Sequence, residues 1–350
     1  MPDSASTLAR LFPRAAGGLA LGAALALFQP AAAQGTQDVE QPAALVKAAQ
    51  AEGQLMIYSS SDENQSKTLL AAFEKRYGIK GGFIRFPTGP LMQRFSTEYD
   101  AKDVRADIVS VSSPVPFEQR PERFANVDKS VLPNLGKWPD FRTAGKHFVW
   151  TTDLVALAYN TEQLKPQDVP KTWSDLADPK WKGRFLLTDP QVADNYMGWL
   201  DAVERAQGME LLRKLAGQNY KITQSGASGA QMVAAGAYIF NAPTFASFSA
   251  RLLEKKAPIA VQYLEGPAIV SPRSIAIVAD APHPNAARLY LNWLLSEEAL
   301  KLTCSISPTS LAMAPDNSRG CIAVREGVEM RFNVPEERKR ALAKALGVAH

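Results

Sequence analysis

The sequence predicts an α/β fold of two domains. Short apolar runs that read as strands alternate with segments of helical period through most of the chain. Several of these strands open directly into serines or other small polar residues at a helix start, as in an open α/β sheet. The chain has 350 residues, 46% hydrophobic and 21% charged, enough for two domains of ordinary composition.

The first residues stand apart. Arg10 and Arg14 precede an uncharged run from Ala15 to Phe28, and Pro30 and Ala31-Ala32-Ala33 follow. A basic region, an apolar region and small residues are the three parts of a secretory signal, so residues 1–33 read as a leader cleaved near Ala33. The run is shorter than the roughly 20 residues a membrane span needs. No cysteine near the cleavage point offers a lipid anchor, and the expected location is the periplasm. Loss of Asp3, Arg10 and Arg14 lowers the formal charge from +4 to +3, too mild a balance for a nucleic-acid partner. Cys304 and Cys321 are the only cysteines, and in an oxidising compartment they are expected to form one disulfide. By loop entropy that bridge stabilises the fold by about 3 kcal/mol.

Val46–Glu52 predicts a short helix closed by Gly53, and Leu55-Met56-Ile57-Tyr58 a buried strand. Leu69, Leu70, Phe73 and Tyr77 then recur on one helical face that ends at Gly78. Between strand and helix lies Ser59-Ser60-Ser61-Asp62, with Ser60 as N-cap and Glu63 at capping-box spacing. Hydroxyls and N–H groups at such a corner bind small polar ligands, and helix capping alone is the competing reading. Phe83–Phe86 is a second strand, turned by Pro87-Thr88-Gly89-Pro90 into a helix from Leu91 to Tyr99. Asp107–Val111 is a third strand, and it too ends in serines, Ser112-Ser113. Ligands in open α/β sheets bind at the carboxyl ends of strands.

Irregular sequence is expected from Pro114 to Pro139, and a long strand-like run follows from His147 to Asn160. Asp189-Pro190 reads as a helix start, with Val192, Tyr196, Trp199, Leu200 and Val203 as the apolar face. Tyr220–Thr223 is a strand that opens through Ser225 and Ser228 into a helix over Gly229–Ala235. Tyr238–Pro243 is a strand carrying Asn241, and a helix is expected over Phe245–Lys256. Ser274–Val278 should be the return crossing, before helices at Ala286–Leu295, at Ser296 onward and at Pro335–Leu346.

Enzyme chemistry finds little support. There are three histidines, His147, His283 and His350, and no zinc-protease motif, nucleophile elbow or P-loop. His147 and His283 sit among apolar or proline neighbours and read as structural.

The chain resembles the extracellular solute-binding proteins of ABC importers. The resemblance is to the group with the type 2 periplasmic-binding fold, which includes ferric-ion-binding proteins and relatives for thiamine, phosphonates and other organic solutes. It is carried by Leu55–Tyr58, Arg105–Val109, Leu157–Asn160, Pro170–Leu176 with its Pro-x-x-Trp-x-x-Leu pattern, Trp181-Lys182-Gly183-Arg184, His283–Ala287 and Leu291–Glu298. It implies two lobes, each a mixed sheet flanked by helices, joined by crossing hinge strands and closing on a solute. Lobe 1 is expected over 34–150 plus 266–312, lobe 2 over 151–265, and 313–350 as a C-terminal segment whose last helix packs back. It also implies a monomer that captures a small-molecule solute and delivers it to an ABC permease in the inner membrane. A sensor receptor is the alternative partner.

Ferric-binding members use two adjacent tyrosines, and no two tyrosines adjoin in this sequence. The family's first-lobe His and Glu correspond to Asp62 and Ser112, and a serine is a poor ligand for ferric iron. The reading therefore prefers a small organic or oxyanion solute over iron, with no metal and no cofactor. The candidate ligand residues are Ser59, Ser60, Ser61, Asp62, Thr88, Ser112, Ser113, Asp189, Ser225, Ser228 and Asn241. Arg85, Arg94 and Arg273 are candidate charge partners, although each also reads as a surface cation. Asp62 and Glu63 oppose an anion and suit a solute with an amine as well as an acid group.

Overall fold

A computed structural model describes residues 38–137, 145–265, 268–306, 310–311, 321 and 327–348. The leader and its cleavage point lie outside these residues, as do parts of the C-terminal segment after 306.

The chain enters through α1 (Ala43–Glu52), closed by Gly53 at φ +71°, a left-handed position that glycine takes without strain. Next come β1 (Gln54–Ser59), α2 (Glu63–Tyr77), β2 (Lys80–Arg85), α3 (Thr88–Asp100) and β3 (Ile108–Val111). Where irregular sequence was expected, a five-residue helix, α4 (Val115–Gln119), and 3-10 turns form. Phe117 of α4 is the reason: it is buried against Phe124 and His147. The long β4 (Phe148–Asn160) follows, then β5 (Leu186–Thr188), α5 (Asp194–Gln207), α6 (Met209–Ala216), β6 (Lys221–Thr223), α7 (Gly226–Ala234) and β7 (Phe240–Phe245). The remainder is α8 (Ser247–Glu254), β8 (Ile259–Gln262), β9 (Ala268–Ile277), α9 (Pro284–Leu294), α10 (Glu297–Ile306), β10 (Ser310–Leu311), β11 (Gly327–Glu329) and α11 (Glu336–Leu346).

The strand order is β2-β1-β3-β9-β4-β7-β5-β6, with β10 and β8 also on β4 and β11 on β9. β1 is parallel to both β2 and β3, and β5 is parallel to both β6 and β7. Two parallel half-sheets are thus joined through the antiparallel pair β4 and β9. β4 serves both halves: Phe148–Leu154 pairs with β9, whereas Val155–Asn160 pairs with β7 and β8. Nearly every residue of β4 is buried, which is why its sequence reads as a continuous apolar run instead of alternating.

Each half has its own core. In one, Phe73 packs on Tyr77, Tyr290 and Trp293. In the other, Phe185 stacks on Phe240, and Trp181 meets the edge of Phe240. Two half-sheets with separate cores, linked by crossing strands, make up the two-lobed α/β fold that the sequence predicts. α11 lies against α5 and α6, burying Leu342, Ala343 and Leu346. Cys304 and Cys321 are disulfide-bonded. No helix among the described residues is long and apolar enough to cross a membrane.

Three local expectations are corrected. The N-cap of α2 is Asp62, not Ser60: its carboxylate accepts from the N–H of Asn64 at 2.8 Å and of Gln65 at 3.3 Å. The helix expected at Pro190 starts at Asp194. Asp189 Oδ1 accepts from Gln191 N at 2.9 Å, a local turn that competes with helix entry and leaves Val192 before the helix. α7 begins at Gly226, ahead of the expected Gly229, because Ser225 caps it.

Candidate functional site

The ends of β1 and β3 lie side by side. Ser59 pairs with Ser110 across the parallel ladder, and Ser60 N donates to Ser110 O at 2.9 Å. Both strands stop here, so the next residues turn away with their hydroxyls at the strand ends. Ser59 Oγ accepts from Ser61 N at 3.0 Å and Ser113 Oγ accepts from Val115 N at 3.3 Å, so these two serines shape their own loops. The hydroxyls of Ser60 and Ser112 pair with each other at 3.3 Å, from loops 52 residues apart. Asp62 has taken over the cap, so neither of these two is needed to start α2.

Arg273 completes this corner. β9 runs antiparallel to β3 with Val111 opposite Ser274, which sets Arg273 one step beyond the end of β3. It is buried at 4% exposure, so its charge needs a partner. Nη2 donates to Asp153 Oδ2 at 2.6 Å, and Nη1 approaches Ser60 Oγ at 3.4 Å, a weak contact. Asp153 lies on β4, so this ion pair joins the two crossing strands. Arg85, at the end of β2, is partly buried with Nε 3.4 Å from Ser61 O, and forms no ion pair with a described residue.

From the other half, Tyr196 of α5 faces the same charges. Burial pushes its phenol up, as does Asp153, while a hydrogen bond from Gly226 N and the field of Arg85 oppose the shift. Tyr263 is likewise raised by burial and by Asp153. Among the described residues its hydroxyl has no hydrogen-bond partner, an unusual state for a buried polar group. The halves also touch directly, since Asn64 Nδ2 donates to Glu254 Oε1 at 3.3 Å.

The other predicted residues divide. Thr88 is buried at the start of α3 and lines a cavity between the halves. Asp189 is committed to Gln191 N and to Gln224 Nε2, the latter at 3.3 Å. Ser225 Oγ accepts from Ser228 N at 3.1 Å, and Ser228 Oγ lies 3.0 Å from Thr223 Oγ1, so this pair is bound up in starting α7. Asn241 is fully buried beneath α7, where Gly229 packs so closely that a Cβ there would lie 2.5 Å from Asn241 Nδ2. A residue sealed under a helix cannot meet solute, so Asn241 is corrected to an interior position. Arg94 is corrected too: it pairs with Glu98 at 2.8 Å within α3 and lies over the Tyr58 ring.

Asp153, Tyr196 and Tyr263 escaped the sequence reading. Asp153 carried a usable signal, since a carboxylate inside a long apolar strand requires a buried cation, and Arg273 sits in the other such strand. Tyr196 carried none beyond its place on an apolar face. Among the described residues no three His, Cys, Asp or Glu side chains converge as a metal site.

The fold is a mixed sheet of two lobes, with hydroxyls and a buried arginine at the strand ends. Residues 68–316 match the family described as bacterial extracellular solute-binding protein, and the chain belongs to that family, whose members are binding proteins and not enzymes. It is 24% identical over 268 residues to iron uptake protein A1 of a Synechocystis species, covering 70% of this chain and 72% of that one. The fold is similar to the substrate-binding protein of an ABC transporter from Agrobacterium tumefaciens, with a TM-score of 0.72, 14% identity and 84% and 95% of the two chains covered. It is also similar to iron-bound HitA of Pseudomonas aeruginosa, with a TM-score of 0.62, 19% identity and 84% and 97% covered. The chain is thus the solute-binding component of an ABC transporter, with the type 2 periplasmic-binding fold.

Proposed function

We propose that the solute is a small organic or inorganic oxyanion, held where β1 and β3 end. The observation that carries this reading is the shared guanidinium of Arg273, poised between Asp153 and the Ser60–Ser112 hydroxyl pair. A solute oxygen in that corner accepts from the two hydroxyls and from Arg273, with Arg85 as a second cation. Tyr196 meets it from lobe 2. Lobe 1 comprises 34–150 and 266–312 and lobe 2 comprises 151–265; the change of partners along β4, between Leu154 and Val155, supports a crossing near the first of these bounds. The exported protein works as a periplasmic monomer after cleavage near Ala33, and the closed, loaded form docks on an inner-membrane permease.

Ferric iron is the second reading, favoured by the names of the Synechocystis and Pseudomonas relatives. The lack of two adjacent tyrosines anywhere in the sequence counts against it, since a ferric site wants anionic oxygen. A melting-shift panel of phosphate, phosphonates, amino acids and ferric citrate separates the readings. An oxyanion at a hundredfold excess over its Kd should stabilise the protein by about 2.7 kcal/mol. A tight, coloured ferric complex with no response to iron-free anions would replace the oxyanion reading by the ferric one.

A further inference from the structure

A cavity of about 620 Å³ opens between the lobes; the predicted ligand residue Thr88 lines it, whereas Ser60, Arg85, Ser112 and Arg273 do not. That volume lies within the roughly 300–1,000 Å³ of small-molecule sites. Its floor is apolar from both sides, with Met92 and Pro116 on lobe 1 and Val192 and Met197 on lobe 2. Its third wall is α11, which brings Lys339, Arg340 and Lys344. The wall is firmly held. Arg338 donates to Asp201 and, at 2.6 Å, to Glu204 of α5, while Leu342 and Leu346 are buried in the lobe 2 core.

The charges facing the cavity do not cancel. Lys339 is paired with Glu336 at 2.7 Å. Arg340 and Lys344 form no ion pair with a described residue. Lys339, Arg340 and Lys344 outnumber the two acids of the lining, Glu336 and Asp194, and burial pushes the Asp194 carboxyl up from its ordinary range. An apolar floor beneath two unpaired cations matches an acid group on an apolar body.

We propose that this cavity is a second ligand site, for an organic acid whose apolar body lies on Met92, Pro116, Val192 and Met197 and whose acid group meets Arg340 and Lys344. Its walls come from both lobes, so an occupant bridges them and favours the closed form.

The test titrates hexanoate, octanoate, benzoate and phenylacetate into the purified protein and its variants by calorimetry. At least one acid should bind saturably, and R340A/K344A should weaken it about tenfold, which is about 1.4 kcal/mol. Both side chains are exposed and neither anchors α11, so the fold should survive, with an unchanged circular dichroism spectrum as the check. M92E, which sets a charge on the floor, should weaken the same acid, and S60A/S112A should leave it unchanged. The proposal is overturned if no acid binds, or if R340A/K344A and M92E leave binding intact. It is overturned equally if S60A/S112A abolishes binding, which would assign the acid to the serine–arginine corner. Phosphate binding that S60A/S112A removes and R340A/K344A spares would uphold the corner by itself.

Discussion

The two lobes use the same sequence pattern, a strand running through hydroxyl residues into a helix, to different ends. In lobe 1 the cap of α2 is the carboxylate of Asp62, so Ser60 and Ser112 are left to meet each other and Arg273. In lobe 2 the cap of α7 is Ser225 itself, with Ser228 and Thr223 tied into the same turn. One acidic residue at the end of the motif decides whether its serines are spent on capping the helix or left for other partners. A hydroxyl that already caps a helix would have to break a hydrogen bond to bind anything else.

The comparison breaks most visibly at the hinge. R273A removes the buried cation that pairs with Asp153 across β4 and β9 and should cost about 3–5 kcal/mol in urea unfolding, with loss of solute binding. Replacing the pair together, as D153L/R273M, should recover much of that stability and none of the binding. Equal losses in the single and double variants would show that the ion pair is not what Arg273 supplies.

Acid should loosen lobe 1 before lobe 2. Burial against Phe117 pushes His147 down from 6.5 to about 4. As pH falls, the unfolded chain takes the proton first. This contribution is full above pH 6.5 and declines toward pH 4, by about 3 kcal/mol in all. Hydrogen exchange across that range should show opening around β4 and α4 ahead of α5 and α6, and H147F should flatten the dependence.

Capping gives the next effect in size. D62A and S225A should each lower stability by about 1 kcal/mol, and S225A should leave solute affinity unchanged. A large affinity loss in S225A would restore Ser225 to the site. The smallest stability effect belongs to S60A/S112A. Its melting temperature should stay close to that of the parent while affinity falls about tenfold, the cost of roughly one good hydrogen bond. Unchanged affinity would remove these serines from the solute wall.

Much of this was legible beforehand. Gly53 and Gly78 end helices where expected, because apolar period and a left-handed glycine are local properties. The meeting of Ser59–Asp62 with Ser112-Ser113 followed from two strand ends in one parallel sheet. The start of α5 was misplaced because Asp-Pro is an equally good opening for a turn. Arg94 and Arg273 looked alike as sequence, yet one is spent on a helix surface and the other lies in the hinge.

The sequence by itself determined the alternation of strands and helices, the apolar crossing run at 148–160 and the family. These depend on side-chain period and short motifs, which neighbouring residues specify. Only the tertiary structure decided which polar groups pair with one another, since that turns on hydrogen bonds between residues far apart in the chain. Ser60 with Ser112, Arg273 with Asp153, and the α11 wall against lobe 2 are all pairings of that kind.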